Sequence, residues 1–193
     1  RFGAAPSPDA VTGASRVTTA DPDAGEAPAE RVLLTGFPSL VCRRLAAKLL
    51  EADPRSHVSL LVSAHLGAAA TAFVAELPPA SKSRCHPILG DVADMHLGLS
   101  SSEYQELVEQ LTTIVHLAGP AAATGDAGRR FDLIGTQNLL DTGVEARRLR
   151  RLVHVSTVRV SGRREGVVLE EDLDCGQSFH NLFEQTQFQA EVL

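Results

Sequence analysis

The sequence has no tryptophan, one tyrosine (Tyr104) and three cysteines among its 193 residues. The cysteines, Cys42, Cys85 and Cys175, are odd in number and lack paired spacing. This pattern favours neither a disulfide framework nor a zinc site, and it fits a reducing, cytoplasmic compartment. No run of 18 apolar residues occurs, so no membrane span is expected. A basic excess is also absent, because the net charge is −6, and this argues against a nucleic-acid partner.

The first 29 residues differ in composition from the rest of the chain. They are rich in Ala, Pro, Gly, Asp, Ser and Thr and show neither a helical nor a strand period. Such a segment cannot bury enough apolar surface to offset the entropy of ordering it. We therefore expect a flexible tail or linker over 1–29 and one folded domain over 30–193.

Five short apolar runs alternate with helical patterns along the second segment. The runs are "RVLLTG", "HVSLLVS", "CHPILGDV", "TTIVHLAG" and "LRRLVHVST". Strands that alternate with helices indicate βαβ units and a parallel sheet covered on both faces. The prediction is an α/β fold, a doubly wound Rossmann-like sheet of five strands in the order 3-2-1-4-5.

The turn after the first strand, "TGFPSLVC", is where such a fold holds the pyrophosphate of a dinucleotide. Gly36 stands at the first of the three usual glycine positions, and Ser39 and Cys42 stand at the other two. Ser39 narrows the space for a phosphate, although the helix N-terminus still offers amides to an anion. Phe37 and Leu40 complete this candidate cofactor site. The alternative is that Gly36 only permits the turn.

The ends of the next strands supply the other candidate cofactor contacts. Ser63 ends the second strand, where an acid or an arginine would distinguish NAD from NADP, so neither is favoured. After the third strand, Asp91 is placed to accept from an adenine amino group, with Val92 packed on the ring. The fourth strand ends in residues that leave room beside a nucleotide. These candidates are Leu117, Ala118 and Gly119.

In order and spacing, these segments resemble the extended short-chain dehydrogenase/reductase family. The branch that they resemble is that of the thioester reductases and fatty acyl-CoA reductases. The stretches that carry the resemblance are "RVLLTGFPSLVCRRLAAKLL", "ILGDVADMHLGLSSSEYQELVEQLTTIVHLAG", "FDLIGTQNLL", "LRRLVHVSTVRVSGRREGVVLEEDL" and "NLFEQTQFQAEVL". Active members reduce an acyl thioester or an aldehyde with NADPH.

The resemblance implies four catalytic positions, of which one is intact. Thr157 matches the hydroxyl residue that holds the carbonyl oxygen. Phe183 stands at the position of the proton-donating Tyr, and Gln187 at that of the Lys that tunes it. Asp132 stands where an Asn supports a water link to the Lys, so we expect Asp132 and Gln187 to hydrogen-bond directly instead.

Two further expectations concern the last helix and the substrate. The last helix is predicted to begin near Asn181, with Glu184 and Glu191 facing solvent. The family's C-terminal substrate domain is missing from the sequence, so we expect the chain to have no substrate pocket of its own.

Three functions remain open. The coordinated changes at Ser39, Cys42, Asp132, Phe183 and Gln187 favour a pseudoenzyme that keeps the fold as a binding module. The first alternative is an active NAD(P)H-dependent oxidoreductase with an altered proton donor. The second is a non-catalytic module of a larger synthase, with a carrier protein as partner and 1–29 as a linker.

Overall fold

A computed structural model of the protein describes residues 29–117 and 126–193. The strands in these ranges are β1 (Arg31–Leu34), β2 (His57–Val62), β3 (Cys85–Leu89), β4 (Thr113–Leu117) and β5 (Arg151–Val155). They form one parallel sheet in the order β3-β2-β1-β4-β5. The predicted fold class and strand order are confirmed, whereas the linker predicted for 1–29 lies outside the described residues, apart from Ala29.

Helices cover both faces of the sheet. They are α1 (Leu40–Ala52), α2 (Gly67–Glu76), the short α3 (Pro79–Lys82), α4 (Ser101–Gln110), the short α5 (Asp126–Arg129), α6 (Gly135–Glu145) and α7 (Leu182–Val192). Short 3-10 turns lie at Ala64–Leu66, Met95–Gly98 and Val158–Ser161, and a π-helical turn lies at Arg130–Ile134. No helix among the described residues is long and apolar enough to cross a membrane.

Two buried clusters fill the space between the sheet and its helices. Because neighbouring residues of a strand point to opposite faces, Leu34 packs with α1 and α2, and Leu33 packs with α4 and α6. The first cluster includes Cys42 and Leu50 of α1, and the second includes Tyr104 of α4. The apolar period of each element therefore decides which face of the sheet it covers.

The carboxyl ends of β1 and β4 form the crevice at which the sheet reverses its winding order. Leu34 pairs with Val115, and the Thr35 N–H donates to the Val115 carbonyl over 3.1 Å. From this point β1 leads to α1 on one face, while β4 leads to the helices of the other face. Ligands of open α/β sheets bind at such a crevice.

The helix predicted over "AGRRFDLIGTQNLLDTGVEA" contains a π-helical turn that the sequence did not indicate. Here α5, the turn Arg130–Ile134 and α6 follow one another without a break. Asn138 in α6 donates to the Val92 carbonyl over 2.8 Å, which anchors this helix to the loop after β3. Asp132 lies in the π turn, and such turns are frequent at functional sites.

Candidate functional site

The turn between β1 and α1 depends on Gly36 for its geometry. Gly36 has a φ of 92°, and an added Cβ would lie 2.6 Å from the Leu117 Cβ. Ser39 is the N-cap of α1, and its Oγ accepts from the Cys42 N–H over 3.2 Å. Cys42 is fully buried in the core, where it packs α1 against the sheet. The turn therefore keeps its shape with a capping serine and a core cysteine at two glycine positions.

Substitution of Gly36 tests how tightly this turn is packed. We expect Gly36→Ala to lower the free energy of unfolding by about 3 kcal/mol, through backbone strain and the clash with Leu117. Gly166 is the matched control, because its φ is 85° and nothing lies within 4 Å of an added Cβ. Gly166→Ala should cost about 1 kcal/mol, from the backbone alone. Equal costs in urea denaturation would show that the Leu117 contact adds nothing.

The other predicted cofactor contacts divide into accessible and buried groups. Leu40 is exposed at the start of α1, Ser63 follows β2, and Asp91 is exposed after β3. The Asp91 Oδ1 accepts from the Ala93 N–H over 2.8 Å, so this carboxylate shapes its own loop.

Three other predicted contacts have buried side chains. Phe37 packs on Phe73 in the core, with ring centroids 5.9 Å apart, and Val92 packs against Gly135. Leu117 is buried beside Gly36. Packing of Val92 on an adenine ring remains a prediction. Ala118 and Gly119 lie outside the described residues.

Thr157 follows β5 and caps the 3-10 turn Val158–Ser161. Its Oγ1 accepts from the Arg159 N–H over 3.4 Å. It lines a cavity of about 600 Å³, whose other lining residues are Ser156, Val158, Val160, Ser161, Val168, Leu169, Glu170, Asp172, Leu173 and Glu191. The segment after β5 folds back beside Thr157 and forms this cavity, and the expectation that the chain lacks a substrate pocket of its own stays a prediction.

The last helix, α7, begins after its N-cap Asn181, as predicted, and two contacts fix its position. The Thr186 Oγ1 donates to the Asp132 Oδ2 over 3.0 Å, and both side chains are buried. The Ser156 Oγ donates to the Glu191 Oε2 over 2.6 Å at the end of β5. These contacts hold α7, which carries Gln187, against the π turn and the end of β5. Phe183 is half-buried, and the residues that line the Thr157 cavity include neither Phe183 nor Gln187.

Gln187 is fully buried, and neither atom of its amide has a hydrogen-bond partner among the described residues. The expected bond between Asp132 and Gln187 is therefore wrong, because Asp132 accepts from Thr186 instead. A buried amide without a partner costs about 1–3 kcal/mol. Such a group requires an explanation, and a polar ligand at this position would provide one.

Two histidines at the carboxyl ends of β4 and β5 also have buried ring nitrogens without a hydrogen-bond partner among the described residues. The His116 and His154 ring centroids are 5.3 Å apart. The His116 Nδ1 is hydrogen-bonded to the Thr35 Oγ1 over 2.7 Å, but its Nε2 and both ring nitrogens of His154 have no partner in the described part of the chain. Burial lowers the pKa of His116 to about 3, so its ring is neutral at physiological pH.

The single tyrosine of the sequence, Tyr104, lies apart from Thr157. Tyr104 is buried in α4, and its hydroxyl donates to the Thr142 Oγ1 of α6 over 3.3 Å. It belongs to the core cluster under α4 and α6, whereas Thr157 lies beyond the end of β5. Burial raises the pKa of Tyr104 further, which makes it a still weaker acid.

Sequence reasoning missed a group of polar side chains at the start of α7. The expectation that Glu184 faces solvent was wrong, because its side chain is 5% exposed and accepts from the His180 Nδ1 over 2.9 Å. The Arg159 Nη1 lies 3.5 Å from the Glu184 Oε1. The spacing Asn181-x-x-Glu184 is a helix-capping signal that could have revealed this inward orientation. Glu191 is exposed, as predicted.

The fold and the crevice at β1 and β4 define a dinucleotide-binding type of α/β domain. Residues 34–193 match the NAD-binding domain family described as male sterility protein, and the chain belongs to that family.

Among curated proteins the chain is similar to chloroplastic fatty acyl-CoA reductase 2 of Arabidopsis thaliana, with 25% identity over 96 residues. That match covers 47% of this chain and 15% of the relative, so the chain spans only part of the length of the relatives that it matches.

Solved structures agree on the fold. The terminal R domain from the myxalamid PKS-NRPS biosynthetic pathway matches with a TM-score of 0.71 and 23% identity, over 86% of this chain and 45% of that chain. The dTDP-glucose 4,6-dehydratase from Bacillus anthracis, in complex with NAD, matches with a TM-score of 0.59 and 17% identity, over 85% and 49%. The family itself, an NAD-binding domain, supports binding of NAD or NADP by this chain.

Proposed function

We propose that this chain is the nucleotide-binding part of a thioester or fatty acyl reductase homologue, and that it is catalytically impaired. The observation that carries the proposal is Gln187, which is buried, uncharged and without a partner, at the position that the resemblance gives to a lysine. Phe183, one helical turn earlier, has no proton to donate.

The chemistry explains why both changes matter. Hydride transfer to a carbonyl builds negative charge on oxygen, and a proton must neutralise it. A tyrosine with a pKa of about 10 needs a neighbouring cation to serve in this role at neutral pH. Thr157 keeps a hydroxyl that can orient a carbonyl oxygen in the cavity beside it. We therefore propose that the chain keeps the hydroxyl that orients a substrate carbonyl but lacks the residues that would protonate its oxygen.

The residues present fit a nicotinamide cofactor in part. The turn at Gly36 is kept, the first-turn amides of α1 lack helical partners, and the Gln187 amide can donate to or accept from ribose hydroxyls. A bound reduced nicotinamide would supply the hydride. Ser39 supports phosphate binding less well than glycine would, because it adds a Cβ and its Oγ already accepts from the Cys42 N–H. We therefore propose weakened binding.

Replacement of Gln187 by an apolar residue of similar size tests the assignment of this position. We expect Gln187→Met to raise the free energy of unfolding by about 1–2 kcal/mol, since a buried unpaired amide is removed. The same variant should weaken NADP⁺ binding, measured by calorimetry. Exposed Gln185 on the same helix is the control, and Gln185→Met should change neither quantity. Lower stability of Gln187→Met would mean that the amide has a partner in the folded protein.

Titration of the purified protein with NADPH and NADP⁺, followed by turnover assays with an acyl thioester and an aldehyde, tests the proposed function. We expect measurable nucleotide binding and very slow turnover. A turnover number near 10 per second, which is typical of intact enzymes, would contradict the proposed impairment. Absence of nucleotide binding would contradict the binding role itself.

A second candidate function is a non-catalytic module of a carrier-dependent synthase. It is favoured by the likeness to an R domain from a PKS-NRPS pathway. Its partner would be a carrier protein. Gel filtration of the native protein would support this candidate if the chain elutes within a larger assembly, and elution as an isolated small protein would argue against it.

A further inference from the structure

At the start of α7, the imidazole of His180 is hydrogen-bonded to the buried carboxylate of Glu184. The Glu184 Oε2 accepts from both the backbone N–H and the Nδ1 of His180, each over 2.9 Å. The Glu184 N–H donates in turn to the Asn181 Oδ1 over 2.9 Å. The Glu184 side chain is 5% exposed, whereas that of His180 is 56% exposed. The carboxylate is thus fixed, and the imidazole that it holds reaches solvent.

This pair lies beside the Thr157 cavity. His180, Asn181 and Glu184 line a second cavity of about 530 Å³ with residues of the 3-10 turn. Val158 and Ser161 line both cavities, so the two adjoin across this turn.

A chain of contacts links His180 to Thr157 through the same turn. The first contact joins His180 to Glu184, and the Glu184 Oε1 lies 3.5 Å from the Arg159 Nη1. The Arg159 N–H then donates to the Thr157 Oγ1.

The arrangement suits proton transfer. Because the ionised carboxylate can only accept a hydrogen bond, Nδ1 carries a proton, and in the protonated ring Nε2 carries the second, exchangeable proton. The backbone N–H of His180, and then its ring and Arg159, hold the pKa of the Glu184 carboxyl below its usual range, so this group stays ionised. The charged groups near His180 are Glu184 on α7, Arg159 on the 3-10 turn and Arg163, whose Nε donates to the Phe179 carbonyl.

We propose that His180 donates the proton in the residual carbonyl reduction that this chain supports, with Glu184 as its positioning residue. The proposal rests on the proposed function and assigns to His180 the step that Phe183 cannot perform. A bound reduced nicotinamide would supply the hydride to the carbonyl carbon, and the C=O π pair would move to oxygen. The oxygen would take the proton as the Nε2–H bond of the His180 imidazolium breaks, which gives the alcohol and a neutral imidazole. Solvent then reprotonates the exposed ring.

The test compares His180→Gln with His86→Gln, an exposed histidine on β3, in the full chain. Oxidation of NADPH is followed in single turnovers with a straight-chain aldehyde from pH 6 to 8.5, and NADPH affinity is measured separately. We expect His180→Gln to slow oxidation at least 10-fold at pH 6 with unchanged affinity. In the wild type the rate should fall as pH rises, and His180→Gln should lose this dependence. His86→Gln should behave like the wild type.

A second readout does not depend on turnover. Carbethoxylation of His180, followed by mass spectrometry, should slow several-fold when NADP⁺ and the aldehyde are both bound, while His86 remains equally reactive. An unchanged rate in His180→Gln, no residual oxidation despite NADPH binding, or no protection of His180 would overturn the proposal and leave nucleotide binding intact. Failure to bind NADPH would overturn the proposed function as well.

Discussion

Combined substitution of Phe183→Tyr and Gln187→Lys is expected to accelerate NADPH-dependent reduction of an aldehyde or acyl thioester by about 10²–10⁴, the usual contribution of a general acid. The tyrosine would supply the proton, and the lysine would lower its pKa and meet the cofactor ribose. Asp132, which already accepts from Thr186 beside position 187, would offset part of the cost of burying a cation.

The single variants and a matched double variant provide the controls. Phe183→Tyr alone should gain little, since its hydroxyl would keep a pKa of about 10 without a cation. Phe188→Tyr with Gln185→Lys makes the same chemical changes elsewhere on α7 and should leave the rate unchanged. No gain from the Phe183 and Gln187 pair, in a folded variant that binds NADPH, would show that further positions block the reaction.

Protonation of the unfolded chain at His116 is expected to lower the free energy of unfolding in acid by on the order of 5 kcal/mol, at about 1.36 kcal/mol per unit of pKa shift. Burial lowers the pKa of this ring from 6.5 to about 3 in the folded chain. The unfolded chain therefore binds a proton that the folded chain does not. Stability is complete above about pH 6.5 and decreases as the pH falls toward 3. Burial also lowers the pKa of His154, which acts in the same direction.

Urea denaturation between pH 7.5 and 4.5 measures this effect. His116→Asn removes the titrating ring and keeps a polar atom toward Thr35, so its free energy of unfolding should depend less steeply on pH than that of the wild type. His86→Asn, on the exposed part of β3, should keep the slope of the wild type. Parallel slopes for His116→Asn and the wild type would show that His116 accepts a proton in the folded state.

The position and order of the strands could be predicted because each strand coincides with a short apolar run in the sequence. The strands β1 and β4 are buried on both faces, as expected for parallel strands under two layers of helix. Gly36 was also predictable, since a tight turn at a strand end needs a positive φ. The linker boundary and the roles of the site residues remain predictions.

The polar details of the site could not be predicted in the same way. Glu184 was expected in solvent because carboxylates are rarely buried, yet three hydrogen bonds from the start of α7 hold it inside. The bond from Thr186 to Asp132 joins residues 54 positions apart, and no local pattern specifies that distance. The cavity beside Thr157 likewise depends on how the segment after β5 folds back.

The sequence by itself determined the parallel sheet and its two helical layers, because apolar periodicity is a local property. Only the tertiary structure decided that Gln187 is buried without a partner among the described residues, that Asp132 bonds to Thr186, and that His180 is held by the buried Glu184. Hydrogen bonding and desolvation depend on which distant segments meet, and that is fixed only when α7 packs on the π turn and the end of β5.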